Sequence, residues 1–365
     1  MRPPRSRGRQ GGVLDSTFEL LAFTNLPGVG PRTIAALRKR SALAEVLARP
    51  AQFGEWLPEA AQQRLRAGAA QRWAEAELSR ASRLGVRIVG RDETDYPELL
   101  REVFDPPAVL YLRGTLRAGE GASSVAVVGS RSATPAGLTL ARSLARGLCE
   151  TGMTVVSGLA RGIDTAAHRG VLDARGRTLA VLGSGLDVIY PSENASLAHE
   201  IAVAGAVVSE FPLGTPPAPG NFPRRNRVIA GCARGVVVVE AAVRSGALVT
   251  ARLALEEGRE VMAVPGHPSV ASAAGTNQLI RDGAVLVRNA QDVALELGFA
   301  EPVAPPVAST DPLLSALRDD APASLEELVA SSGLAAPELL ARLTELELER
   351  QVRRLPGALF VRHRV

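Results

Sequence analysis

Between residues 109 and 297, short apolar runs rich in β-branched residues alternate with stretches of helical periodicity. Runs that are apolar at nearly every position are typical of strands buried on both faces, and helices between them allow successive strands to pair in parallel. The pattern therefore predicts a doubly wound, Rossmann-like α/β domain with a mostly parallel sheet. The predicted strands are VAVVG (125–129), TVVSG (154–158), TLAVLG (178–183), AVVSE (206–210), GVVVVEA (235–241), EVMAVPG (260–266) and AVLV (284–287).

The composition changes on both sides of this sheet domain, which we place at residues 108–300. Residues 1–12 are rich in Arg, Gly and Pro and are predicted to be a disordered basic tail. Residues 13–107 show helical periodicity and are predicted to be a helical domain of the SAM or helix-hairpin-helix kind that leads into the sheet. A Pro- and Ala-rich linker is predicted at 301–310, and residues 311–365 are predicted to form a winged helix-turn-helix.

A Gly-x-Gly turn stands directly before a helical stretch in residues 26–32, LPGVGPR. In helix-hairpin-helix modules, the backbone N–H groups of such a turn can hold a DNA phosphate. A tight turn between two helices of a small bundle has the same sequence pattern. The sequence leaves both interpretations open.

The C-terminal segment has the helix, helix, helix, hairpin order of a winged helix-turn-helix. Ser324 and Glu327 have the spacing of a capping box at the start of its second helix. The presumed recognition helix carries more acids than arginines, whereas a major-groove reader needs the opposite bias to neutralise phosphates. We therefore expect this module to bind protein, with a role in regulating dimerisation. The charged residues of that helix are Glu338, Glu345, Glu347 and Glu349 against Arg342 and Arg350.

The net charge of the chain is +4, from 42 Lys and Arg against 38 Asp and Glu. The four arginines in residues 1–12 account for the whole excess. Residues 108–300 hold 18 basic and 15 acidic side chains, and residues 301–365 hold 7 and 10. The overall basicity is therefore an effect of the tail, so the local placement of the arginines, and not the net charge, indicates where an anionic ligand would bind.

Cysteine and histidine usage argues for a cytoplasmic protein without a structural metal. Cys149 and Cys232 are too few for a disulfide framework, which fits a reducing compartment. The four histidines are scattered, so no zinc site is expected. No run of about 18 apolar residues is present, and the Arg-rich start lacks the apolar segment of a secretory signal, so neither a membrane span nor secretion is expected.

The loops after the predicted strands do not match the common cofactor motifs. The first βα turn reads GSRSATPAG instead of G-x-G-x-x-G, and the second strand ends at Ser157 instead of an acid that would bind a ribose. Lys39 is the only lysine, which excludes a GxxxxGK[ST] phosphate loop, and no GxSxG serine is present. We expect no cofactor, and a protein that binds a polyanion without bond-making groups.

Gly, Ser and Arg follow nearly every predicted strand. Ligands of doubly wound sheets bind outside the carboxyl ends of the strands, near the point where the strand order reverses. Glycines allow close approach to the backbone, helix N-termini offer N–H groups and arginines add charge, so these loops together predict a surface for several phosphates. The residues concerned are Gly129, Ser130, Arg131, Ser157, Gly158, Ser245 and Gly246.

The segment NFPRRNR, residues 221–227, packs three arginines into seven residues without an acid and is predicted to be a loop. Its arginines would neutralise backbone phosphates, and its aromatic ring would stack on an unpaired base, which is worth about 1–3 kcal/mol per base. A solvated turn with the ring in the core is the alternative. The predicted contacts are Phe222, Arg224, Arg225, Asn226 and Arg227.

Three further polar residues lie near the predicted strand ends. We expect Asp164 to cap the helix that follows SGLARG and His168 to pack against it one turn later. Glu240, at the end of a strand, is expected to pair with an arginine of the loops, with a catalytic role as the alternative.

The combined motifs resemble those of the DprA (DNA-processing protein A, Smf) family of bacterial proteins. The resemblance is dense over residues 90–298 and looser in the helical front and the winged-helix tail. It is carried by VAVVGSRSATPAG, VVSGLARGIDTAAHRG, TLAVLGSGLDVIYP, SEFPLG, FPRRNRVIAG and the stretch from VVVVEA through SGALVTARLA to AVPG.

The resemblance implies a protein, not an enzyme, that binds single-stranded DNA without sequence preference, protects it and loads RecA onto it during natural transformation and recombination. The loop and NFPRRNR residues named above would hold the phosphates, with Phe222 near a base. RecA, a single-stranded-DNA-binding protein and a second copy of the chain are the implied partners. The homodimer would form through the last strand and the preceding helix, at Ile280 and Leu286. Ala247 and Thr276 depart from the family pattern, where Ser and Cys are frequent, and each would reshape one contact.

An enzymatic alternative uses the same fold. Related Rossmann-like proteins hydrolyse nucleotide N-glycosidic bonds, and Glu240 would then be the general acid/base. Those phosphoribohydrolase-like enzymes typically carry a PGGxGT motif, which this sequence lacks.

Overall fold

The structure, a computed structural model, describes residues 15–299, 313–314, 317, 322–348 and 351–362. The predicted basic tail and the predicted linker lie outside these residues. The chain divides after Ala300 into two compact units, and each is described by itself.

The first unit is built on a nine-stranded sheet. Its strands are β1 (Arg87–Gly90), β2 (Val109–Gly114), β3 (Ser124–Val128), β4 (Thr154–Ser157), β5 (Thr178–Leu182), β6 (Ala206–Ser209), β7 (Gly235–Val238), β8 (Glu260–Ala263) and β9 (Val285–Leu286). Their order is β1-β2-β6-β5-β4-β3-β7-β8-β9. All seven predicted runs form strands, β3 to β9, and these pair in parallel. The predicted doubly wound sheet is confirmed.

The strand order reverses at β3. From there the chain moves outward through β4, β5 and β6, and then returns to pair β7 with the other side of β3 before continuing to β8 and β9. Val128, the last residue of β3, lies opposite Val238, the last residue of β7. The carboxyl ends of β4, β3 and β7 are therefore neighbours at the switch point, where such sheets bind ligands.

Helices cover both faces of the sheet because its strands are apolar on both sides. Leu144 and Val171 pack in one cluster, and Ile229 and Ala251 pack in the cluster of the opposite face. Within the described residues, no helix is long and apolar enough to cross a membrane. The helices are α1 (Thr17–Thr24), α2 (Pro31–Arg38), α3 (Leu43–Ala48), α4 (Glu59–Arg66), α5 (Ala69–Arg83), α6 (Glu98–Glu102), α7 (Pro135–Glu150), α8 (Ile163–Asp173), α9 (Ala195–Ala204), α10 (Asn221–Gly231), α11 (Gly246–Glu256), α12 (Ala274–Arg281) and α13 (Ala290–Glu296).

Helices α1 to α5 pack against the antiparallel edge of the sheet. Leu20 and Phe23 share one buried cluster with Tyr111 and Val207 of the sheet. Strand β1 corrects the prediction that residues 13–107 form a helical domain, because Ile88 pairs with Tyr111 of β2 in an antiparallel ladder. A strand of four residues is too short for a period of two to stand out in the sequence.

The second unit shows the helices and hairpin of the predicted winged helix. Helices α14 (Leu325–Ser332) and α15 (Ala336–Leu348) are followed by β11 (Val352–Leu355) and β12 (Leu359–Arg362), and β10 (Ala323–Ser324) also pairs with β12. The predicted capping box is present, since Ser324 Oγ accepts the N–H of Glu327 and the Glu327 carboxylate accepts the N–H of Ser324. Of the predicted first helix, LLSALR, residues 313, 314 and 317 are described and the other three lie outside the described residues.

Candidate functional site

Two adjoining cavities open at the carboxyl edge of the sheet, beside the switch point. The larger has a volume of about 560 Å³ and the smaller about 130 Å³. Five residues line both: Arg131, Ser132, Ala160, Phe222 and Arg225. The wall that the two cavities share is thus made by the loops after β3 and β4 and by the start of α10.

The loop after β3 is held close to the end of β7. The N–H of Ser130 donates to the carbonyl oxygen of Glu240 at 2.7 Å, and the N–H of Ile163 donates to the carbonyl oxygen of Ser130 at 3.1 Å. A side chain at Gly129 would collide with Ile163 and with the Glu240 carbonyl, so glycine is required there. These contacts place the exposed guanidinium of Arg131 at the mouth of both cavities, 4.7 Å from the ring centroid of Phe222.

The two predicted contacts after β4 differ in their surroundings. Ser157 is fully buried, and its hydroxyl donates to the carbonyl oxygen of Val127 at 2.6 Å. That hydroxyl therefore belongs to the sheet, and Ser157 does not line either cavity. Gly158 lines the smaller cavity, and the guanidinium of Arg225 occupies the space that a Cβ at this position would need.

A buried ion pair underlies the shared wall. Arg225 and Asp164 are 5% and 6% exposed, with 4.0 Å between Nη1 and Oδ2. The same carboxylate oxygen accepts the N–H groups of Gly158 and Ala160 at 3.2 and 3.3 Å, and Arg225 Nη1 donates to the carbonyl oxygen of Val181 at 3.3 Å. Burial raises the pKa of Asp164, although the positive charge of Arg225 acts to lower it. Burial lowers the pKa of Arg225. The pair fixes both the loop after β4 and the arginine.

The NFPRRNR segment forms the first turns of α10, so the prediction of a loop is wrong. Pro223 lies in the first turn, where backbone N–H groups have no partner within the helix and proline is tolerated. The three arginines of the helix have two different surroundings. Arg225 faces the cavities, whereas Arg224 and Arg227 both pair with the buried carboxylate of Glu210.

Two of the predicted phosphate contacts, Arg224 and Arg227, pair with Glu210 and do not line the cavities. Arg224 is 3.3 Å from Glu210 and lies over the ring of Phe211, with its side chain 58% exposed. Arg227 also donates to the carbonyl oxygen of Asp105 at 2.5 Å and is largely buried. Neither arginine lines either of the two cavities.

Phe222 lines both cavities and lies between the loop after β3 and the loop after β5. A Cβ at Gly183 would come within 3.1 Å of its ring, so the ring rests against the glycine backbone. The ring of Tyr190 is 6.0 Å away, centroid to centroid, and Tyr190 is 44% exposed. The aromatic side chain is therefore half-buried, with the Arg131 guanidinium over its ring.

The start of α11 forms the opposite wall of the larger cavity. Ser245 is its N-cap and accepts the N–H of Ala247 at 3.3 Å. Gly246 is exposed with open space around it, and Asn226 Nδ2 donates to its carbonyl oxygen at 3.4 Å. Both residues line the larger cavity, together with Ala247, one of the two departures from the family pattern.

Arg244 also lines this cavity, and sequence reasoning missed it. Its position directly before Ser245 was the feature of the sequence that could have identified it. Arg161, which lines the smaller cavity, was missed as well and forms an ion pair with Glu193. Within residues 15–299, Arg131 and Arg244 are the arginines of the larger cavity without an ion pair or hydrogen bond, whereas Arg225 is paired with a carboxylate.

Three polar residues have partners other than those expected. Asp164 does not cap α8, whose N-cap is Gly162, but binds the loop amides described above. The His168 imidazole contacts the hydroxyl of Thr178 at 2.8 Å, and burial lowers its pKa to about 3. Glu240 accepts the N–H of Thr134 at 2.9 Å instead of pairing with an arginine, and it lies outside both cavity linings.

The predicted dimer residues do not line the cavities and lie at the β9 edge of the sheet. Strand β9 pairs with β8 on one side only, and Leu286 in it is 45% exposed. Ile280 on α12 is partly exposed. Thr276, the second departure from the family pattern, is buried, and its hydroxyl donates to the carbonyl oxygen of Ala273 at 3.0 Å.

The LPGVGPR turn packs within the N-terminal helices. Gly28 has a φ of +70° and lies against Pro58. Gly30 is the N-cap of α2, and the guanidinium of Arg32 lies 4.6 Å from the ring centroid of Phe104. None of these residues lines the two cavities.

Comparison with known proteins identifies the family. The family model for DNA recombination-mediator protein A matches residues 87–298, more than half of the chain. The chain belongs to the DprA family. The model for the DprA winged helix domain matches residues 299–358.

Several family members are similar over most of their length. Protein Smf from Synechocystis is 37% identical over 314 residues, which cover 74% of this chain and 79% of that protein. Protein Smf from Escherichia coli is 40% identical over 284 residues, with coverage of 74% and 76%. DNA processing protein DprA from Streptococcus pneumoniae is 45% identical over 204 residues, with coverage of 56% and 72%.

Two solved structures of the DprA family share the fold. The structure of DprA from Streptococcus pneumoniae aligns with a TM-score of 0.64 at 34% identity, covering 78% of this chain and 99% of that one. DNA processing protein A from Helicobacter pylori, whose structure was described for its single-stranded DNA binding mode, aligns with a TM-score of 0.53 at 30% identity and covers 58% and 95%.

Proposed function

We propose that this protein binds single-stranded DNA, without sequence preference, at the carboxyl edge of its sheet. The observation that carries the proposal is the pair of guanidinium groups, Arg131 and Arg244, that line the larger cavity with no carboxylate partner in the described residues. Arginines that folding leaves unpaired in an open cavity are available to bind phosphates. The relative from Helicobacter pylori, which binds single-stranded DNA, supports the same ligand.

The phosphates would contact the loop after β3 and the start of α11. Gly129, Ser130 and Arg131 lie on one side of the larger cavity, and Ser245 and Gly246 lie on the other. The N-terminus of an 11-residue helix contributes unpaired N–H groups on the second side. Every part of this cradle is backbone, hydroxyl or guanidinium, which recognises the DNA chain and not its sequence.

Phe222 gives the site its preference for unpaired bases. Its ring is half-buried and carries Arg131 on its face, so a base that stacks there takes the place of the guanidinium. A base in a duplex is already stacked and paired and does not present its face to a side chain. The geometry therefore favours single strands over duplex DNA.

The proposal includes the role of a recombination mediator, because the family is described as one. The bound strand would be protected and passed to RecA, with a single-stranded-DNA-binding protein as a further partner. Two chains would pair through the open edge of β9, at Ile280 and Leu286, where the apolar side chain of Leu286 is exposed.

The test is a comparison of labelled oligothymidine with a blunt duplex of the same length, by fluorescence anisotropy on the full chain. We expect the single strand to bind more tightly. Its log K should fall linearly with log salt, with a slope of about −1.4 or steeper if Arg131 and Arg244 each neutralise one phosphate. Equal affinity for the duplex would refute the site. Release of free bases from nucleoside monophosphates, followed by chromatography, would instead support the N-glycosidase alternative.

A further inference from the structure

Helix α5 of the N-terminal segment reaches the loops that border the site. Arg80 Nη2 lies 2.7 Å from Asp187 Oδ2 in the loop after β5, and Arg80 Nη1 donates to the carbonyl oxygen of Leu213 at 3.2 Å, in the loop after β6. One turn earlier, the buried carboxylate of Glu77 accepts the N–H of Leu213 at 2.8 Å. Two side chains of one helix thus hold two loops.

The same two loops are tied to each other. Asp187 Oδ1 accepts the N–H of Gly214 at 2.7 Å, while its other oxygen receives Arg80. The N–H of Gly185 donates to the carbonyl oxygen of Thr215 at 2.9 Å. Asp187 is therefore the point at which α5 and both loops meet.

These loops support the aromatic side of the candidate site. The loop after β5 contributes Gly183 and Tyr190 to the smaller cavity, and the loop after β6 contributes Pro217 and then runs into α10. Phe222 rests against Gly183 and lies 6.0 Å from Tyr190. A shift of either loop would therefore change the position of the Phe222 ring.

The phosphate cradle receives no direct contact from Arg80 or Glu77 of α5 in the described residues. The loop after β3 is held by Glu240 and Ile163, and the start of α11 is held by its own N-cap and by Asn226 of α10. The contacts from α5 thus reach the aromatic side of the site and not the phosphate side.

The Arg80–Asp187 pair has little to contribute to the stability of the fold. The side chains are 43% and 17% exposed, and ion pairs with this much solvent access contribute little net free energy. Its geometry nevertheless joins three segments that are distant in sequence. A pair that joins three segments but adds little stability has the properties of a positioning contact and not of a stabilising one.

We propose that Arg80, with Glu77, is a positioning residue that sets the loops after β5 and β6 so that Phe222 can stack on a base. The helical N-terminal segment then acts on single-stranded DNA binding through these loops and need not touch the DNA. This inference rests on the proposed function, since it assumes that Phe222 stacks on a base.

The experiment compares Arg80→Ala with the wild-type full chain on two oligonucleotides, oligothymidine and an abasic oligomer of equal length. Losing these contacts to the loops should weaken oligothymidine binding by about threefold, because a positioning contact changes affinity by no more than the free energy with which it holds the loops. Binding of the abasic oligomer should stay at the wild-type level, because the phosphate cradle is unaffected. The thermal unfolding temperature should also stay close to that of the wild type.

Arg83→Ala is the matched control, since Arg83 is exposed one turn along α5 and bonds only to Ser79 of its own helix. Arg80→Lys should recover part of the oligothymidine affinity by keeping the charge next to Asp187. Unchanged binding of both oligomers by Arg80→Ala, or an equal loss for both, would overturn the inference. If the wild type itself binds both oligomers equally, stacking on Phe222 fails, and with it that part of the proposed function.

Discussion

The sequence pattern suggests nucleic-acid contacts at two regions of the molecule, the carboxyl edge of the sheet and helix α15 of the second unit. The charges of these two regions are opposite. At the sheet edge, Arg131 and Arg244 face a cavity without a carboxylate partner in the described part of the chain. On α15, Glu338 and Glu345 are exposed, and Arg342 lies 2.6 Å from Glu345. Phosphate neutralisation dominates affinity for DNA, so only the first surface is suited to it.

This difference shows that motif order and charge placement carry separate information. A winged helix-turn-helix is a frequent DNA-binding fold, yet its presumed recognition helix here presents acids. The sheet has no basic excess large enough to suggest DNA binding by itself, yet it concentrates arginines and glycines at one edge. The function proposed for this chain therefore rests on where the charges lie on each fold and not on the fold alone.

The largest effect is expected from disturbing the sheet edge at Gly158. In Gly158→Ala, the added methyl group overlaps the guanidinium of Arg225, which is held in the buried pair with Asp164. Overpacking of this kind costs about 1–3 kcal/mol of stability. Displacing the arginine should also weaken single-stranded DNA binding by more than about tenfold. Urea unfolding and anisotropy measure the two effects.

Gly220→Ala provides the control for that substitution. Gly220 precedes α10 with a helical backbone conformation, φ −69° and ψ −19°, and nothing lies within 4 Å of its added Cβ. Its stability and DNA affinity should match those of the wild type. If the Gly158→Ala variant folds and binds single-stranded DNA with wild-type affinity, the position of the Arg225 guanidinium plays no part in binding.

The smallest effect is expected from removing the acidic region altogether. A chain that ends at Ala300 should bind single-stranded DNA within about twofold of the full chain and with the same salt slope, because the lost segment carries more acidic than basic residues. Salt-titrated anisotropy on the two chains makes the comparison. A slope that becomes shallower by about one unit would mean that the second unit contacts phosphates, and the contrast between the two regions would fail.

The sequence was sufficient for the fold of the sheet because its signals are local and repeated. Each apolar run from Val125 onward forms a strand, and the loops after β3 and β7 meet as the topological rule requires. The two strands of the antiparallel edge, β1 and β2, were both missed, and the four residues of β1 show no clear period.

The site residues were harder to predict because their roles depend on partners distant in sequence. Pro223 suggested a loop, but the first turn of a helix accepts proline, and the helical spacing then separates Arg225 from Arg224 and Arg227. Glu210, which binds the latter two, gave no signal of this in the sequence. Ser157 matched the expected motif, but its hydroxyl is used inside the sheet.

The central claim is that the unpaired Arg131 binds a DNA phosphate, and the salt dependence of Arg131→Gln tests it most directly. Anisotropy titrations with oligothymidine over a range of salt concentrations give the slope of log K against log salt for wild type and variant. Arg252→Gln serves as control, since Arg252 is exposed on α11, pairs with Glu256 and lies outside both cavities. We predict that Arg131→Gln makes the slope shallower by about 0.7 and that the control leaves it unchanged. A slope equal to that of the wild type in folded Arg131→Gln would contradict the account.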